Sequence, residues 1–402
     1  MKRLMLLGGS AQQVIAIETA KRLGLFTVLC DYLPDNPGQY HADRFYLIST
    51  TDREAVLRTA REEKIDCIIA YASDPAAPTA AFVAEQLGLP TNPLTAVEIL
   101  CNKDRFRAFL RANGFHAPAA HGYSSKEEVQ ANLDAVTYPV MVKPVDSSGS
   151  KGATVVYAPD GLAAAADFAF SFSRSHRIIV ESYIEKSHPY LIGGDIFVSD
   201  GQVVQWGLMN CHRDDSVNPL VPVGKSYPPL LKAEELENVK ETLRRLVTAL
   251  DIRFGPMNVE LVIDTEGRVF PIDVGPRSGG NMIPDLLGMI FGCDVVEMCV
   301  RAAMGESVIP SASEPHRFFA THNLHAAKDG ILKAIRFSEE LESLIVRKSI
   351  YRKPGEPVRR FSNAADALGI IFMKFDCEEQ MHRMLREINR HIEIMTSGAD
   401  GE

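Results

Sequence analysis

Apolar and polar residues alternate most clearly between residues 254 and 281 of the 402-residue chain. Two β-rich runs, Asn258–Ile263 and Arg268–Val274, flank the turn residues Asp264–Gly267, which predicts a β-hairpin. Because successive side chains of a strand point to opposite faces, one face of the hairpin is apolar and the other acidic. The turn predicts the cross-strand pairs Ile263–Arg268, Leu261–Phe270, Val259–Ile272 and Asn258–Asp273. The residues expected on the core face are Val259, Leu261, Phe270 and Ile272.

Glu260 and Asp273 are expected on the acidic face, diagonally across the hairpin, with a backbone separation of about 7–8 Å. Two carboxylates at that separation can hold a hard cation, and Mg²⁺ prefers such oxygen ligands together with nucleotide phosphates. The second strand leads into the glycine-rich turn Gly275–Asn281, which carries one fixed positive charge, Arg277. The alternative is a hairpin whose acidic face is only solvated, and this stretch alone favours neither interpretation.

A different pattern, short buried strands separated by amphipathic helices, covers the N-terminal region. Strands Arg3–Leu7 and Phe26–Cys30 enclose a glycine turn and a helix, which predicts a parallel pair in a doubly wound α/β domain. The turn reads Gly-Gly-Ser-Ala-Gln-Gln and lacks the GxGxxG spacing, so the dinucleotide fingerprint fails. Asp31, after the second strand, can hydrogen-bond a ribose or cap the strand end, and capping is the commoner role.

Lys143 lies near the end of the apolar run Tyr138–Pro144, and the Gly/Ser-rich segment Asp146–Gly152 follows. Such a segment is suited to a mobile flap over phosphates, since backbone N–H groups of a loop can point at anions. It has no GxxxxGK[ST] pattern and is therefore not a Walker loop. The alternative interpretation is a flexible hairpin turn with an exposed lysine.

Antiparallel strands are expected after residue 178, interrupted by a polar, proline-rich loop at Asn210–Leu230. His212 in this loop either contacts a substrate or is a surface histidine without a task. The expected fold is an α/β Rossmann-like N-terminal domain, then α+β domains of antiparallel sheets with helices, and a small α+β C-terminal cap. The expected domain boundaries are 1–94, 95–184, 185–309 and 310–402.

Composition narrows the function classes further. A net charge of −9 argues against a general nucleic-acid binder, which needs a basic field. No apolar run reaches the length of a membrane span, and the N-terminal apolar stretch is too short for a signal peptide. Seven dispersed cysteines without a CxxC pair are typical of buried residues in a reducing compartment. We therefore expect a cytoplasmic protein that binds neither nucleic acid nor membrane.

The order of these features resembles the ATP-grasp superfamily of ATP-dependent carboxylate ligases, which includes biotin carboxylase, the large subunit of carbamoyl phosphate synthase and amino-acid ligases. The resemblance covers roughly residues 1–305 and rests on order and spacing, because each motif alone is weak. It runs from the Rossmann-like region through Asn102-Lys103-Asp104 and Val142-Lys143-Pro144 to the flap. The hinge Val180–Ile184 and the acidic hairpin with its arginine complete it.

The resemblance implies that two lysines and the flap contact the phosphates of ATP, while a glutamate and two backbone groups of the hinge bind the adenine. It also implies that the hairpin carboxylates Glu260 and Asp273 hold Mg²⁺, with Mn²⁺ as a substitute. Arg277 and Lys143 would be the catalytic residues, with the arginine on the acyl phosphate or the substrate carboxylate. The residues implied in ATP binding are Lys103, Lys143, Ser147, Ser148, Gly149, Ser150, Gly152, Glu181, Tyr183, Ile184 and Glu185.

Two positions depart from the family pattern. The usual Glu-x-Asn-x-Arg of the second hairpin strand reads Asp273-Val-Gly275-Pro-Arg277, so one customary metal ligand is missing. Water or Asn281 can substitute, or one of two Mg²⁺ sites is weak. The acid expected to contact the ribose falls near His188, which leaves Glu185 for that role.

The implied function is an ADP-forming ligase, dependent on ATP and Mg²⁺, that joins a small carboxylic acid to an amine through an acyl phosphate. A homodimer is the default expectation for such an enzyme. Two other classes stay open. The missing asparagine suggests a catalytically weak or silent ATP-binding protein, and the N-terminal unit suggests a nicotinamide-dependent oxidoreductase, which the broken fingerprint disfavours.

Overall fold

The N-terminal region forms a parallel sheet with the strand order β3-β2-β1-β4 in the computed structural model, which describes residues 1–132, 136–310 and 315–397. Alternate residues of the first strand pack to opposite faces: Leu4 and Leu6 contact one hydrophobic cluster, Met5 and Leu7 another. The sheet is thus covered on both faces, as predicted for a doubly wound domain. Its elements are β1 (Arg3–Leu7), α1 (Val14–Arg22), β2 (Phe26–Asp31), β3 (Arg44–Leu47), α2 (Arg53–Glu63), β4 (Cys67–Ile69) and α3 (Ala77–Leu87).

The next region carries a four-stranded antiparallel sheet with the order β5-β8-β6-β7. Val140 and Val142 face a core that also contains Ile178 and Val180, so the opposite face of these two strands is left for polar side chains. The elements are α4 (Leu94–Leu100), α5 (Lys103–Ala112), β5 (Ala120–Tyr123), α6 (Lys126–Ala131), β6 (Val140–Pro144), β7 (Thr154–Val156), α7 (Leu162–Phe172) and β8 (Ile178–Ser182).

A third region supplies five strands of an eight-stranded antiparallel sheet. Its order is β13-β12-β9-β10-β11-β14-β18-β16, in which β14 (Phe319–Leu324), β18 (Gly369–Lys374) and β16 (Ile345–Ile350) come from the C-terminal region. The apolar face of the hairpin packs on a helix through Val259, Leu261 and Val274, together with Leu243 and Leu246. The elements are β9 (Leu191–Ser199), β10 (Gln202–Asp214), β11 (Asn218–Tyr227), α8 (Ala233–Ala249), β12 (Gly255–Ile263), β13 (Val269–Gly275), α9 (Ile283–Phe291) and α10 (Val295–Ala303).

The predicted loop at Asn210–Leu230 is wrong, because most of it belongs to β10 and β11. The prolines that suggested a loop lie where the ladder tolerates them. Pro222 sits opposite Arg213 at a register shift, which marks an irregularity in the pairing, and Pro228 follows the end of β11.

The C-terminal region contributes three strands to the large sheet, so it continues the core of the preceding region. A separate three-stranded sheet has the order β17-β15-β19. The elements are β14 (Phe319–Leu324), β15 (Gly330–Phe337), α11 (Glu339–Leu344), β16 (Ile345–Ile350), β17 (Pro357–Val358), β18 (Gly369–Lys374), α12 (Glu378–Glu387) and β19 (Ile392–Ser397). The domain boundaries stay predictions, and residues 311–314 and 398–402 of the expected cap lie outside the described residues. Within the described part of the chain, none of the helices combines the length and apolarity of a bilayer span.

Candidate active site

A cavity of about 830 Å³ lies between the antiparallel sheet β5-β8-β6-β7, the hairpin face of the large sheet and the glycine turn of the N-terminal region. It brings together nearly all of the site residues predicted from the sequence. Gly152 and Glu185 are the exceptions, since neither is among the residues that line the cavity. The predicted residues that line it are Lys103, Lys143, Ser147, Ser148, Gly149, Ser150, Glu181, Tyr183, Ile184, Glu260, Asp273 and Arg277.

The acidic hairpin forms as predicted, but its predicted register is wrong. Glu260 lies directly opposite Asp273, and Asn258 lies opposite Gly275. The pairing shifts after Glu260, so that Leu261 faces Pro271 and Ile272 is the extra residue of a bulge. Ile272 consequently lines the cavity, contrary to its predicted place in the core. The shift favours the binding of one cation by both carboxylates, because two directly opposed residues are closer than a diagonal pair.

Each hairpin carboxylate holds a cationic side chain. Arg213 Nη2 donates to Glu260 Oε1 at 2.5 Å, and Lys103 Nζ lies 3.3 Å from Asp273 Oδ2. Partial burial acts to raise the pKa of Asp273, but Lys103 together with Lys143, Arg107 and Arg277 outweighs this effect, so the pKa is lowered. Each of the two opposed carboxylates is thus already paired with a cationic side chain. As a pair they form an oxygen donor set that fits Mg²⁺. Among the described residues no group of three acidic, histidine or cysteine side chains could hold a metal, so the remaining ligands would come from nucleotide and water.

Lys143 and Glu181 form the buried charged centre of the opposite wall. They alternate with core valines on β6 and β8, which turns both side chains to the cavity face. Lys143 Nζ lies 2.5 Å from Glu181 Oε1, and Arg107 Nε donates to Glu181 Oε2 at 2.9 Å. Burial alone would raise the pKa of Glu181, but Arg107 and then Lys143 reverse this and lower it to about 2. Burial lowers the pKa of Lys143, against the opposing effect of Glu181.

Helix α5 explains why Lys103 and Arg107 reach the same site. They are four residues apart and therefore lie on one helical face. The Asn102 side chain caps the helix by accepting from Arg105 N, and Lys103 N donates to Val145 O at 2.9 Å beside the flap. Arg107 is fully buried and was missed by the sequence analysis, although its spacing from Lys103 was the available signal.

The flap Asp146–Gly152 rests against both lysine and sheet. Lys103 Nζ donates to Ser147 O at 2.9 Å, and Ser150 Oγ donates to Leu220 O of β11 at 2.7 Å. Gly152 turns away from the cavity: a Cβ there would lie 2.8 Å from Pro144 Cγ, so its role is close packing with positive φ. The four flap residues 147–150 stay available as cavity lining.

The segment after β8, which was predicted to be the adenine-binding hinge, brings two of its predicted contact residues to the cavity. Tyr183 and Ile184 line the cavity, although the backbone N–H of Tyr183 donates to Pro139 O at 3.1 Å. Glu185 is exposed, and the neighbouring Lys186 occupies the cavity wall instead. The structure therefore gives no contact that supports Glu185 as the ribose ligand.

The turn that carries Arg277 is anchored from two sides. Asp195 on β9 accepts from Gly279 N at 2.7 Å and from Asn258 Nδ2 at 2.9 Å. Burial raises the pKa of Asp195 to about 6, and these two donors oppose that rise. Asp74, from the N-terminal region, accepts from Arg277 Nε at 2.7 Å. Burial would lower the pKa of the guanidinium, but Asp74 outweighs it and the pKa of Arg277 is raised.

The N-terminal glycine turn is contacted by two neighbouring residues of the same region, Asp31 and Gly38. Asp31 accepts from Gly9 N at 2.6 Å, from Leu33 N at 2.9 Å and from Asn36 Nδ2 at 2.7 Å, so it has the capping role. Gly38 packs directly on Gly9, and a Cβ on Gly38 would lie 2.6 Å from Gly9 Cα.

Three further residues complete the described surroundings. His212 does not line the cavity; its Nε2 lies 2.8 Å from Ser226 Oγ and its ring packs on Tyr190, so it is not placed as a substrate contact. Arg213 and Lys225 do line the cavity. Sequence reasoning missed both as site residues, because it assigned their strands to a loop.

Two family models match the chain. The ATP-grasp N-terminal domain matches residues 17–91, and the model described as carbamoyl-phosphate synthase L chain, ATP binding domain, matches residues 102–309, just over half of the chain. The chain belongs to this ATP-binding family. The ATP-grasp resemblance and the fold class expected from the sequence are thereby confirmed.

One curated protein is similar to this chain in sequence, and two solved structures are similar to it in fold. A formate-dependent phosphoribosylglycinamide formyltransferase of Parasynechococcus marenigrum is 36% identical over 46% of this chain and 48% of its own length. The crystal structure of L-amino acid ligase from Bacillus licheniformis covers 99% of both chains with a TM-score of 0.81 at 22% identity. The biotin carboxylase domain of Hydrogenobacter thermophilus 2-oxoglutarate carboxylase, solved with MgADP and bicarbonate, covers 98% of this chain and 90% of its own with a TM-score of 0.75 at 17% identity. The chain spans about half the length of the curated formyltransferase it matches.

Proposed function

We propose that the chain is an ATP- and Mg²⁺-dependent ligase that joins a small carboxylic acid to an amine and releases ADP and phosphate. The observation that carries the proposal is the opposed pair Glu260 and Asp273 in one cavity with Lys103, Lys143 and Arg277. Transfer of a phosphoryl group requires dispersed negative charge to be met by fixed positive groups, and Lys103, Lys143 and Arg277 would supply them beside the carboxylate pair.

Each group has a defined part in the proposed reaction. Lys103 and Lys143 orient and neutralise the phosphates, and the flap 147–150 covers them with backbone donors. Glu260 and Asp273 would hold Mg²⁺, which supplies charge neutralisation to the transferring phosphate. Arg277 reaches the cavity with free donor capacity for the substrate carboxylate.

The bond changes are those of an acyl phosphate route. A carboxylate oxygen of the acid attacks the terminal phosphorus of ATP, the P–O bond to ADP breaks, and an acyl phosphate forms. The amine nitrogen then attacks the acyl carbon and loses a proton. The C–O bond to phosphate breaks, so the released phosphate carries one oxygen of the original carboxylate.

The names of the relatives support a small-molecule substrate class. One is a formate-dependent formyltransferase and another an L-amino acid ligase, and both names describe a carboxylic acid. An amino acid or a similar metabolite is therefore the first acid to offer this chain.

The test is release of ADP across a panel of carboxylate and amine pairs with ATP and Mg²⁺. For any active pair, an ¹⁸O-labelled carboxylate should pass one label to the released phosphate. AMP as the nucleotide product, or phosphate without label, would contradict the acyl phosphate route.

A silent ATP-binding protein is the second candidate, and the bare position Gly275 in the metal strand is what favours it. Such a protein would gain thermal stability from ATP with Mg²⁺ and release no ADP with any pair. A working enzyme shows both the stabilisation and the release.

A further inference from the structure

Gly275 has no side chain, and a carboxylate from another part of the chain fills the space beside it. A Cβ built on Gly275 would lie 2.4 Å from Asp74 Oδ1 and 3.2 Å from Arg277 Nε. The first distance is one that real Cβ atoms essentially never show. Because the contacted atom is the end of a short side chain, a side chain at 275 would displace Asp74 from its present position.

Asp74 reaches this place from the N-terminal region, between β4 and α3 and 203 residues before the arginine. Its Oδ1 accepts from Arg277 Nε at 2.7 Å, and its Oδ2 accepts from Arg277 Nη2. The pair is therefore bidentate, and it is mostly screened from solvent, with 20% of the Asp74 and 13% of the Arg277 side chain exposed. A second contact joins the same two regions, since Asn281 N donates to Gln12 Oε1 at 2.8 Å.

The guanidinium keeps donors for a ligand. Of its five N–H groups, Asp74 accepts one from Nε and one from Nη2, while Ser278 O accepts one from Nη1 at 2.9 Å. One N–H on each terminal nitrogen is left over. Asp74 thus fixes one edge of Arg277 and leaves a pair of donors in a residue that lines the cavity.

We propose that Asp74 is a positioning residue for Arg277, and that the absence of a side chain at Gly275 is what admits it. The N-terminal region then completes the active site by orienting the arginine toward the carboxylate of the substrate. This inference rests on the proposed function for its kinetic consequence, but the pair itself can be tested without turnover.

The kinetic test compares Asp74→Ala and Gly275→Ala with the parent chain. Gly275 has no left-handed φ, so alanine there adds the Cβ without straining the backbone. Both variants should lower kcat/KM for the carboxylate by about 10- to 100-fold, the cost of a misplaced positioning group. The KM for ATP should stay within about twofold, because the lysines and the flap are untouched. Parent-like kcat/KM for the carboxylate in either variant would overturn the proposal.

The double variant Asp74→Ala with Gly275→Ala should resemble Asp74→Ala alone, because Asp74 Oδ1, the atom that the added Cβ would displace, is absent and only the wider 3.2 Å approach to Arg277 Nε remains. Gly275→Asn in the Asp74→Ala background should recover part of the loss, since a Cβ at 275 lies 3.2 Å from Arg277 Nε and an amide oxygen attached to it can replace the carboxylate as the acceptor. Additive losses of kcat/KM in the double variant would contradict the proposal that a side chain at position 275 and the Asp74 carboxylate compete for the same space.

A second measurement separates this inference from the proposed function. Melting temperatures of the same single and double variants should show the same non-additivity, whether or not any substrate pair is turned over. Gly280→Ala in the same turn is the stability control, since a Cβ there meets only Gln12 Oε1 at 3.6 Å. Non-additive melting without ADP release from the parent chain would leave the pair intact and overturn the ligase. ADP release with additive melting and parent-like kinetics would do the reverse.

Discussion

Two charged clusters face each other across the cavity, and they differ in how far their charges are withdrawn from solvent. On the wall formed by α5, β6 and β8, the side chains of Arg107, Glu181 and Lys143 are 0%, 3% and 11% exposed. On the hairpin, Glu260 and Asp273 are 26% and 41% exposed. Both clusters are ion-paired within the protein, but the hairpin carboxylates are open enough to exchange their partners for a ligand, whereas Glu181 is not.

The difference separates charges that hold the fold from charges that are available for chemistry. A buried charge that loses its partner has no water to replace it, so the cost is paid in stability. A partly exposed carboxylate can exchange its ion pair with Arg213 or Lys103 for a bond to Mg²⁺, with little effect on the stability of the fold. Mutation of Arg107 or Glu181 is therefore expected to act on the free energy of unfolding and mutation of the hairpin carboxylates on turnover, while Lys143, which also lines the cavity, should affect both.

The largest expected effect is on stability, at Arg107. Arg107→Met leaves Glu181 with Lys143 alone and also removes the donor to Ile272 O at 2.7 Å. Breaking a buried pair from one side typically costs about 3–5 kcal/mol of unfolding free energy. Urea denaturation measures it. The matched control is Arg105→Met on the same helix, whose side chain is 60% exposed and which should cost about 1 kcal/mol or less. Equal costs for the two variants would show that burial does not distinguish the clusters.

The next effect is kinetic, at the hairpin. Glu260→Gln keeps the shape of the side chain and removes the charge that would hold Mg²⁺. Turnover should fall by at least about 100-fold, while the melting temperature stays near that of the parent chain. The control is Glu266→Gln in the hairpin turn, a side chain that is 66% exposed and remote from Asp273 in the ladder. Near-parent turnover in Glu260→Gln would remove the metal role from this face.

Lys143, Glu260 and Asp273 could be predicted from the sequence, because each lies in a local pattern. A lysine on an apolar strand and two acids on an alternating hairpin report their own face. What the sequence could not supply was the pairing. The bulge at Ile272 lies beside Pro271, which cannot donate to the ladder, and it changed the partner of Asp273 and moved Ile272 from the predicted core face to the cavity.

Arg107 and Asp74 show a second limit of prediction from the sequence. An arginine in an amphipathic helix and an aspartate after a strand are usual surface residues, and only long-range contacts make them part of the site. Asp74 meets Arg277 across 203 positions of sequence. The continuation of the large sheet into β14, β18 and β16 is of the same kind, since strand order is set by packing between distant segments.

A smaller effect tests the first cluster through pH. The pKa of Glu181 is lowered from its model-peptide value of 4.5 to about 2, so its contribution to stability is complete above pH 4.5 and is lost as pH falls toward 2. Between about pH 6 and about pH 3 the parent chain should lose about 2 kcal/mol more than Glu181→Gln does. Urea titrations of both proteins at several pH values give this difference. Parallel pH profiles would mean that the carboxylate is not held ionised by Arg107 and Lys143.

The smallest effect is expected at Glu185, which stands between the two clusters in sequence and belongs to neither in space. Its side chain is exposed and does not line the cavity, so Glu185→Gln should change the KM for ATP by no more than about twofold, the usual range of a surface substitution. The comparison variant is Lys186→Met at the adjacent position, which does line the cavity and should raise that KM by more. A tenfold or greater increase in Glu185→Gln, about 1.4 kcal/mol of lost binding, would return the ribose contact to this residue. In that case the hinge must turn on binding nucleotide, because the present backbone directs Lys186 to the cavity wall in its place.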